Sequence, residues 1–144
     1  MIVTVTLNPS IDRTAPIAGP LRRGQVNRLG SSTEVAAGKG VNISRVLRGA
    51  GIETCAVVPA GAKGRLALGL NHDDIPHLVV PVAAAVRTNL TITEPDGTTT
   101  KINEPGADLS PEELTAIEEA IVEQLALIDN SAPTRQTPNS AAGV

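Results

Sequence analysis

The chain predicts an α/β fold built on a parallel sheet, and three observations carry that prediction. Residues 2–7 are an uncharged run rich in β-branched side chains, as a buried strand requires. Residues 41–50 follow a Gly38-Lys39-Gly40 turn at helical spacing, and residues 53–58 form a second apolar run. Strand, helix and strand in that order make a parallel α/β unit.

Asn8-Pro9 ends the first strand. Residues 11–36 alternate over short stretches cut by Pro16, Gly19-Pro20, Gly24 and Gly30, which suits short strands projecting from a main sheet. The helix at 41–50 places Val46, Leu47 and Ala50 on one face, with Gly51 near its end. Residues 60–76 carry glycines at 61, 64 and 69 and Asn71, so a second helix there is expected to be short, interrupted and poorly packed. Residues 78–82 read as another buried strand. Residues 86–93 and 98–103 pair around Glu94-Pro95-Asp96-Gly97, where Asp-Gly is a strong turn signal. Ser110-Pro111-Glu112-Glu113 is a capping box with proline at the first helical position. Leu114, Ile117, Ile121, Leu125 and Ile128 then form an apolar stripe. The glutamates of that helix read as its solvated face. Residues 129–144 are polar, aperiodic and rich in Pro and Ser, and read as a disordered tail.

Composition narrows the function. The 144 residues suit one domain and include no Phe, Tyr or Trp. Any core is therefore Val, Leu, Ile and Ala, and a lower stability than usual is expected. Cys55 is the single cysteine; it allows no internal disulfide and, in an apolar run, reads as a buried inert thiol. No basic-then-apolar leader opens the chain and no apolar run is long enough to span a bilayer, so the expected location is cytoplasmic. The net charge of −3 is unevenly spread. Residues 1–101 carry 11 of the 12 cations against 7 of the 15 acids, a net of +4, and residues 102–144 carry −7. The basic part holds the candidate phosphate contacts. Nucleic acid is disfavoured, since no basic run exceeds Arg22-Arg23 and no aromatic can stack on a base.

The chemistry concentrates at Gly38-Lys39-Gly40. Glycines let backbone N–H groups approach an anion, the helix N-terminus adds partial positive charge, and Lys39 adds a full one. Asn42 offers a donor and an acceptor in the first turn. The segment is not a Walker loop, because Gly40 stands where Ser or Thr would follow the lysine. An ordinary helix entry is the alternative. His72 and His77 lack partners at metal-site spacing and read as surface residues, so no metal site is expected.

Four ordered motifs carry a resemblance: Val3-Thr4-Val5-Thr6-Leu7-Asn8-Pro9-Ser10-Ile11-Asp12, Ala37-Gly38-Lys39-Gly40-Val41-Asn42, Arg87-Thr88-Asn89-Leu90-Thr91-Ile92, and Thr100-Lys101-Ile102-Asn103-Glu104-Pro105-Gly106. Over residues 1–128 the chain resembles the PfkB (ribokinase-like) carbohydrate kinases, nearest to the kinases of fructose 1-phosphate. The resemblance implies part of a three-layer α/β fold. A small β-lid would come from about 11–36 and 86–103, and the carboxy-terminal part would be missing. It implies ATP-dependent phosphorylation of a sugar phosphate, fructose 1-phosphate to the 1,6-bisphosphate, with tagatose 6-phosphate as the alternative acceptor. ATP and Mg²⁺ would be the cofactors of the intact family, their binding residues being absent from this chain, and a homodimer would form through the lid.

The implied substrate-binding residues are Asp12, Gly38, Lys39, Gly40, Asn42, Arg87 and Lys101. Asp12 and Asn42 would meet the sugar, and the three cations its phosphate. Each has a plainer reading: a turn former for Asp12, a backbone partner for Asn42, solubilising cations on exposed strands for Arg87 and Lys101. Asn103 and Glu104 match the family pattern without an assigned role. The family's catalytic base sits in a Gly-Ala-Gly-Asp motif that this sequence lacks. Pro105-Gly106-Ala107-Asp108 is a superficial echo and reads as a turn. A non-catalytic sugar-phosphate-binding or regulatory chain, or an unproductive gene remnant, is the rival expectation.

Overall fold

The structure is a computed structural model that describes residues 1–61, 63–106 and 108–131. Its elements are β1 (Ile2–Val5), β2 (Ser10–Pro16), β3 (Thr33–Ala37), α1 (Lys39–Gly49), β4 (Thr54–Pro59), α2 (Arg65–His72), β5 (His77–Val80), β6 (Arg87–Thr93), β7 (Thr99–Asn103) and α3 (Pro111–Ser131). They form two sheets. The main sheet is parallel in the order β1-β4-β5, and the second runs β3-β2-β6-β7. In the second sheet β2 and β6 are parallel and the outer pairs antiparallel.

All six residues of β4 are buried, as a central parallel strand covered on both faces requires. Alternation divides it between two cores. Ala56 and Val58 join Val41, Leu66, Leu70 and Ile75 beneath α1 and α2, together with Ile11 and Ala36 from the second sheet. Val57 turns the other way, with Val80 and Ile117, beneath α3. Helices thus cover both faces of the main sheet in three layers, and a second sheet is built from strands of the segments 11–36 and 86–103, called the lid below.

Four expectations need correction. β1 is an edge strand, with Ile2 44% and Val5 37% exposed, because only β4 pairs with it. On α1, Val46 is 72% exposed; the buried side is Gly40, Val41 and Ser44. Hydroxyls make that small, polar face workable. Ser44 Oγ lies 2.7 Å from Thr4 Oγ1 and 2.9 Å from Thr54 Oγ1, and Thr54 Oγ1 donates to the Ile2 carbonyl at 3.0 Å. Each buried hydroxyl is satisfied, so the helix can lie close to β1 and β4.

The second helix packs well despite its glycine. Leu66 and Leu70 of α2 are fully buried, and a Cβ at Gly69 would stand 3.0 Å from the Ala36 methyl. The supposed interruption is the point of contact with β3. Arg65 reinforces that contact by pairing with Glu34 at 2.6 Å, and this hydrogen bond lowers the Glu34 pKa. Finally, α3 continues to Ser131, past the expected boundary at 129; residues 132–144 lie outside the described residues. Its stripe is only partly used: Ile117 is buried, whereas Leu114 and Leu125 are 39% and 47% exposed.

The capping box forms as expected. The Glu113 amide donates to Ser110 Oγ at 3.2 Å and the Ser110 amide to Glu113 Oε2 at 2.8 Å. Glu113 Oε1 also accepts from the Ala83 amide at 2.8 Å, tying α3 to the loop after β5. The Ser110 and Ala83 amides hold the Glu113 carboxyl below its ordinary value. A lowered folded-state pKa contributes stability above the ordinary carboxylate value, lost as pH falls through the group's own value. Acid titration followed by helical circular dichroism should therefore show less acid loss in Glu113→Gln than in wild type. Equal acid sensitivity would remove Glu113 from the capping role.

Candidate functional site

The glycine turn is shaped by β1. Gly38 has φ 142°, and a Cβ there would strike the Thr6 side chain. A Cβ at Gly40 would stand 2.6 Å from both Thr6 Oγ1 and the Val5 carbonyl. Thr6 Oγ1 in turn accepts from the Val41 amide at 3.1 Å. The N-terminus of α1 is thereby held at the carboxyl end of β1: Thr6 takes the Val41 amide, Gly38 offers no capping side chain, and the first turn holds no acid. This leaves its positive end available to an anion. Lys39 is exposed beside it.

The lid brings two further predicted residues toward that end. Ser10 of β2 is opposite Ala37 on one side and Arg87 on the other. Ala37 precedes Gly38, so Arg87 lies two strand spacings from the turn, roughly 10 Å. Asp12 is opposite Asn89. Its Oδ1 accepts from Ser10 Oγ at 2.8 Å and from Asn89 Nδ2 at 2.9 Å. Ser10, Asp12, Arg87 and Asn89 share one face of the lid, since side chains two apart point the same way. Arg87 Nε and Asn89 Oδ1 are buried without a protein hydrogen-bond partner. One is a donor and the other an acceptor, as a hydroxyl-bearing anion would require.

Lys101 is not gathered with the others. It pairs with Thr91 on edge strand β7, four residues along β6 from Arg87, roughly 13 Å away. Glu104 is engaged structurally: its Oε2 accepts from the Thr88 amide at 2.7 Å, and its carbonyl accepts from Arg87 NH1 at 3.4 Å. Asn42 is exposed on α1, and its Oδ1 accepts from Arg45 NH1 at 2.8 Å. Thr6, Ser10 and Asn89 went unnoticed in the sequence. A period-two reading outward from Asp12 and Arg87 finds Ser10 and Asn89; nothing local marks Thr6.

Arg87 also lines a depression with Leu7, Pro9, Pro59, Val82 and Leu109. Leu7 and Pro9 follow β1, Pro59 ends β4 and Val82 follows β5, so the depression lies outside the carboxyl ends of the parallel strands, the usual ligand position in open α/β sheets.

An open parallel sheet with the α1 N-terminus at its carboxyl edge and a polar β-lid beside it is a partial ribokinase-like fold. No family model matches the chain. A 1-phosphofructokinase of Vibrio cholerae is 31% identical over 99% of this chain and 47% of its own length. The crystal structure of Escherichia coli phosphofructokinase-2 in complex with fructose 6-phosphate superimposes with a TM-score of 0.78 at 26% identity, covering 85% of this chain and 41% of that one. A possible 1-phosphofructokinase of Thermotoga maritima gives 0.73 at 28% identity, covering 88% of this chain and 42% of that one. Over the residues matched the chain is similar to PfkB-type phosphofructokinases, and it spans about half the length of these relatives.

Proposed function

We propose that the chain forms the acceptor-sugar side of a PfkB-type phosphosugar kinase and binds fructose 1-phosphate, with tagatose 6-phosphate as the second candidate. The single observation that carries the reading is the juxtaposition on one lid face. An anchored carboxylate, Asp12, lies beside a buried unpaired Arg87 Nε and Asn89 Oδ1, on the row that ends at the α1 N-terminus. Asp12 and Asn89 accept sugar hydroxyls, and Arg87 and Lys39 attract the phosphate. In the complete reaction ATP supplies the phosphoryl group and Mg²⁺ its charge neutralisation. Among the described residues no cluster of three or more His, Cys, Asp or Glu side chains could hold a metal ion.

An NMR titration with fructose 1-phosphate against fructose tests this. A charge-assisted hydrogen bond contributes roughly 1.5–3 kcal/mol, so Arg87→Ala should weaken phosphosugar binding about ten- to a hundredfold. Lys39→Ala, losing an exposed charge, should cost less, and Lys101→Ala least. Equal affinity for fructose and its phosphate would overturn the reading.

Self-association through the lid belongs to the same proposal. Ile102 on the lid's edge strand β7 is 56% exposed, an apolar side chain on the face opposite Asp12 and Asn89 that is available to a second copy. One Escherichia coli phosphofructokinase-2 structure is a tetrameric inhibited form. Ile102→Glu should shift sedimentation towards the monomer; no shift would remove the lid from the interface.

A further inference from the structure

Arg45 joins three elements through one guanidinium. NH1 donates to Asn42 Oδ1 on α1 at 2.8 Å, and NH2 donates to the Ala36 carbonyl on β3 at 2.6 Å. NH2 also pairs with Asp73 Oδ2, in the residue that ends α2, at 2.9 Å. Both charged side chains are partly shielded, at 33% and 27% exposure. The contacts bracket the anion turn, since Ala36 lies two residues before Gly38 and Asn42 two after Gly40.

A guanidinium offers only donors, so the Asn42 amide has one orientation consistent with this bond. Its oxygen faces Arg45, and both protons on Nδ2 turn away. The Arg45 fork is planar and serves several acceptors at once, which the ammonium of lysine cannot reproduce. Asp73 keeps the fork in place, so the orientation of Asn42 is set from the far end of α2.

We propose that Arg45 is a positioning residue that commits Asn42 to donating to the bound sugar phosphate. Asn42 then turns its Nδ2 protons to an acceptor oxygen of the ligand, a phosphate, carbonyl or ring oxygen, while its Oδ1 is engaged by Arg45. Asp12 and Asn89 take the opposite part from the lid. The inference rests on the phosphosugar reading above for its ligand, and on the Arg45 hydrogen bonds alone for the orientation.

The test uses the full chain labelled with ¹⁵N. The Asn42 side-chain NH₂ pair is assigned by its disappearance in Asn42→Asp. Arg45→Lys should move this pair towards free-amide positions and weaken fructose 1-phosphate binding about tenfold. Asn42→Asp should preserve the backbone spectrum, because its carboxylate still accepts from Arg45. It should nevertheless lose more than tenfold in fructose 1-phosphate affinity, because an anionic acceptor replaces the donor. An Asn42 pair unmoved by Arg45→Lys, or an Asn42→Asp chain that binds as wild type does, would overturn the proposal. If wild type itself shows no response to fructose 1-phosphate, the phosphosugar reading fails, and the Asn42 pair in Arg45→Lys alone decides the orientation.

Discussion

Incubated with ATP, Mg²⁺ and fructose 1-phosphate, the 144-residue chain is expected to release no measurable ADP. The resemblance assigns proton removal from the acceptor hydroxyl to an aspartate in a Gly-Ala-Gly-Asp turn, and this sequence has none. A positioned base contributes about 10²–10⁴ in rate. Donors aimed at the transferring group contribute about 10²–10³ more for each one lost. An ordinary turnover of about 10 per second would fall below detection with both gone. A coupled ADP assay at high enzyme concentration is the measurement. Turnover near one per second would mean that a base exists in this chain. Asp12, already oriented by Ser10 and Asn89, would be the first to replace.

Gly40→Ala should cost about 3 kcal/mol of folding stability, roughly a hundredfold in the folding constant. The added Cβ meets the Val5 carbonyl at 2.6 Å. A backbone carbonyl can retreat only if β1 moves, and overpacking of this kind costs about 1–3 kcal/mol or more. The same displacement breaks the bond from the Val41 amide to Thr6 and opens the α1 N-terminus, so phosphosugar binding should fall with stability. Gly49→Ala is the control: among the described residues, beyond its chain neighbours and the backbone of its own helix, no atom lies within 4 Å of its Cβ position. Removing a glycine from a helix there should stabilise by up to about 1 kcal/mol. Urea denaturation of the two variants should give shifts of opposite sign. A Gly40→Ala chain as stable as wild type would show that the turn is not fixed by β1.

The main sheet was readable because its residues declare themselves locally. Apolar runs at 2–7, 53–58 and 78–82 found β1, β4 and β5, and Ser110 with Glu113 found the start of α3. Errors arose where a partner distant in sequence decides the outcome. Ser44 is buried because Thr4 and Thr54 take its hydroxyl, and no helical periodicity at 41–50 shows that. Gly69 signals a break locally and a contact with Ala36 in space. For the site, the glycine turn is legible in its own residues and Asp12 through motif resemblance. The clustering of Arg87 near them, and the separation of Lys101, depend on the register of β2 with β6 and β6 with β7. Register is set by pairing across the whole chain and is not written in any one segment.

The parallel pairing of β2 with β6 joins Ser10 to Arg87 and Pro16 to Thr93, and so has a consequence for the order of folding. The β1-α1-β4 unit closes through contacts up to about residue 59, and its helix can form early. The centre of the lid waits for a strand 77 residues further along the chain, and long loops must close before such contacts repay their entropy. Pulse-labelling hydrogen exchange during refolding should protect the amides of β4 and α1 first and those of β2 and β6 last. The face that carries Asp12, Arg87 and Asn89 is then the last surface to be made, and a chain caught midway has a folded helix and glycine turn but nothing yet opposite them to hold a sugar.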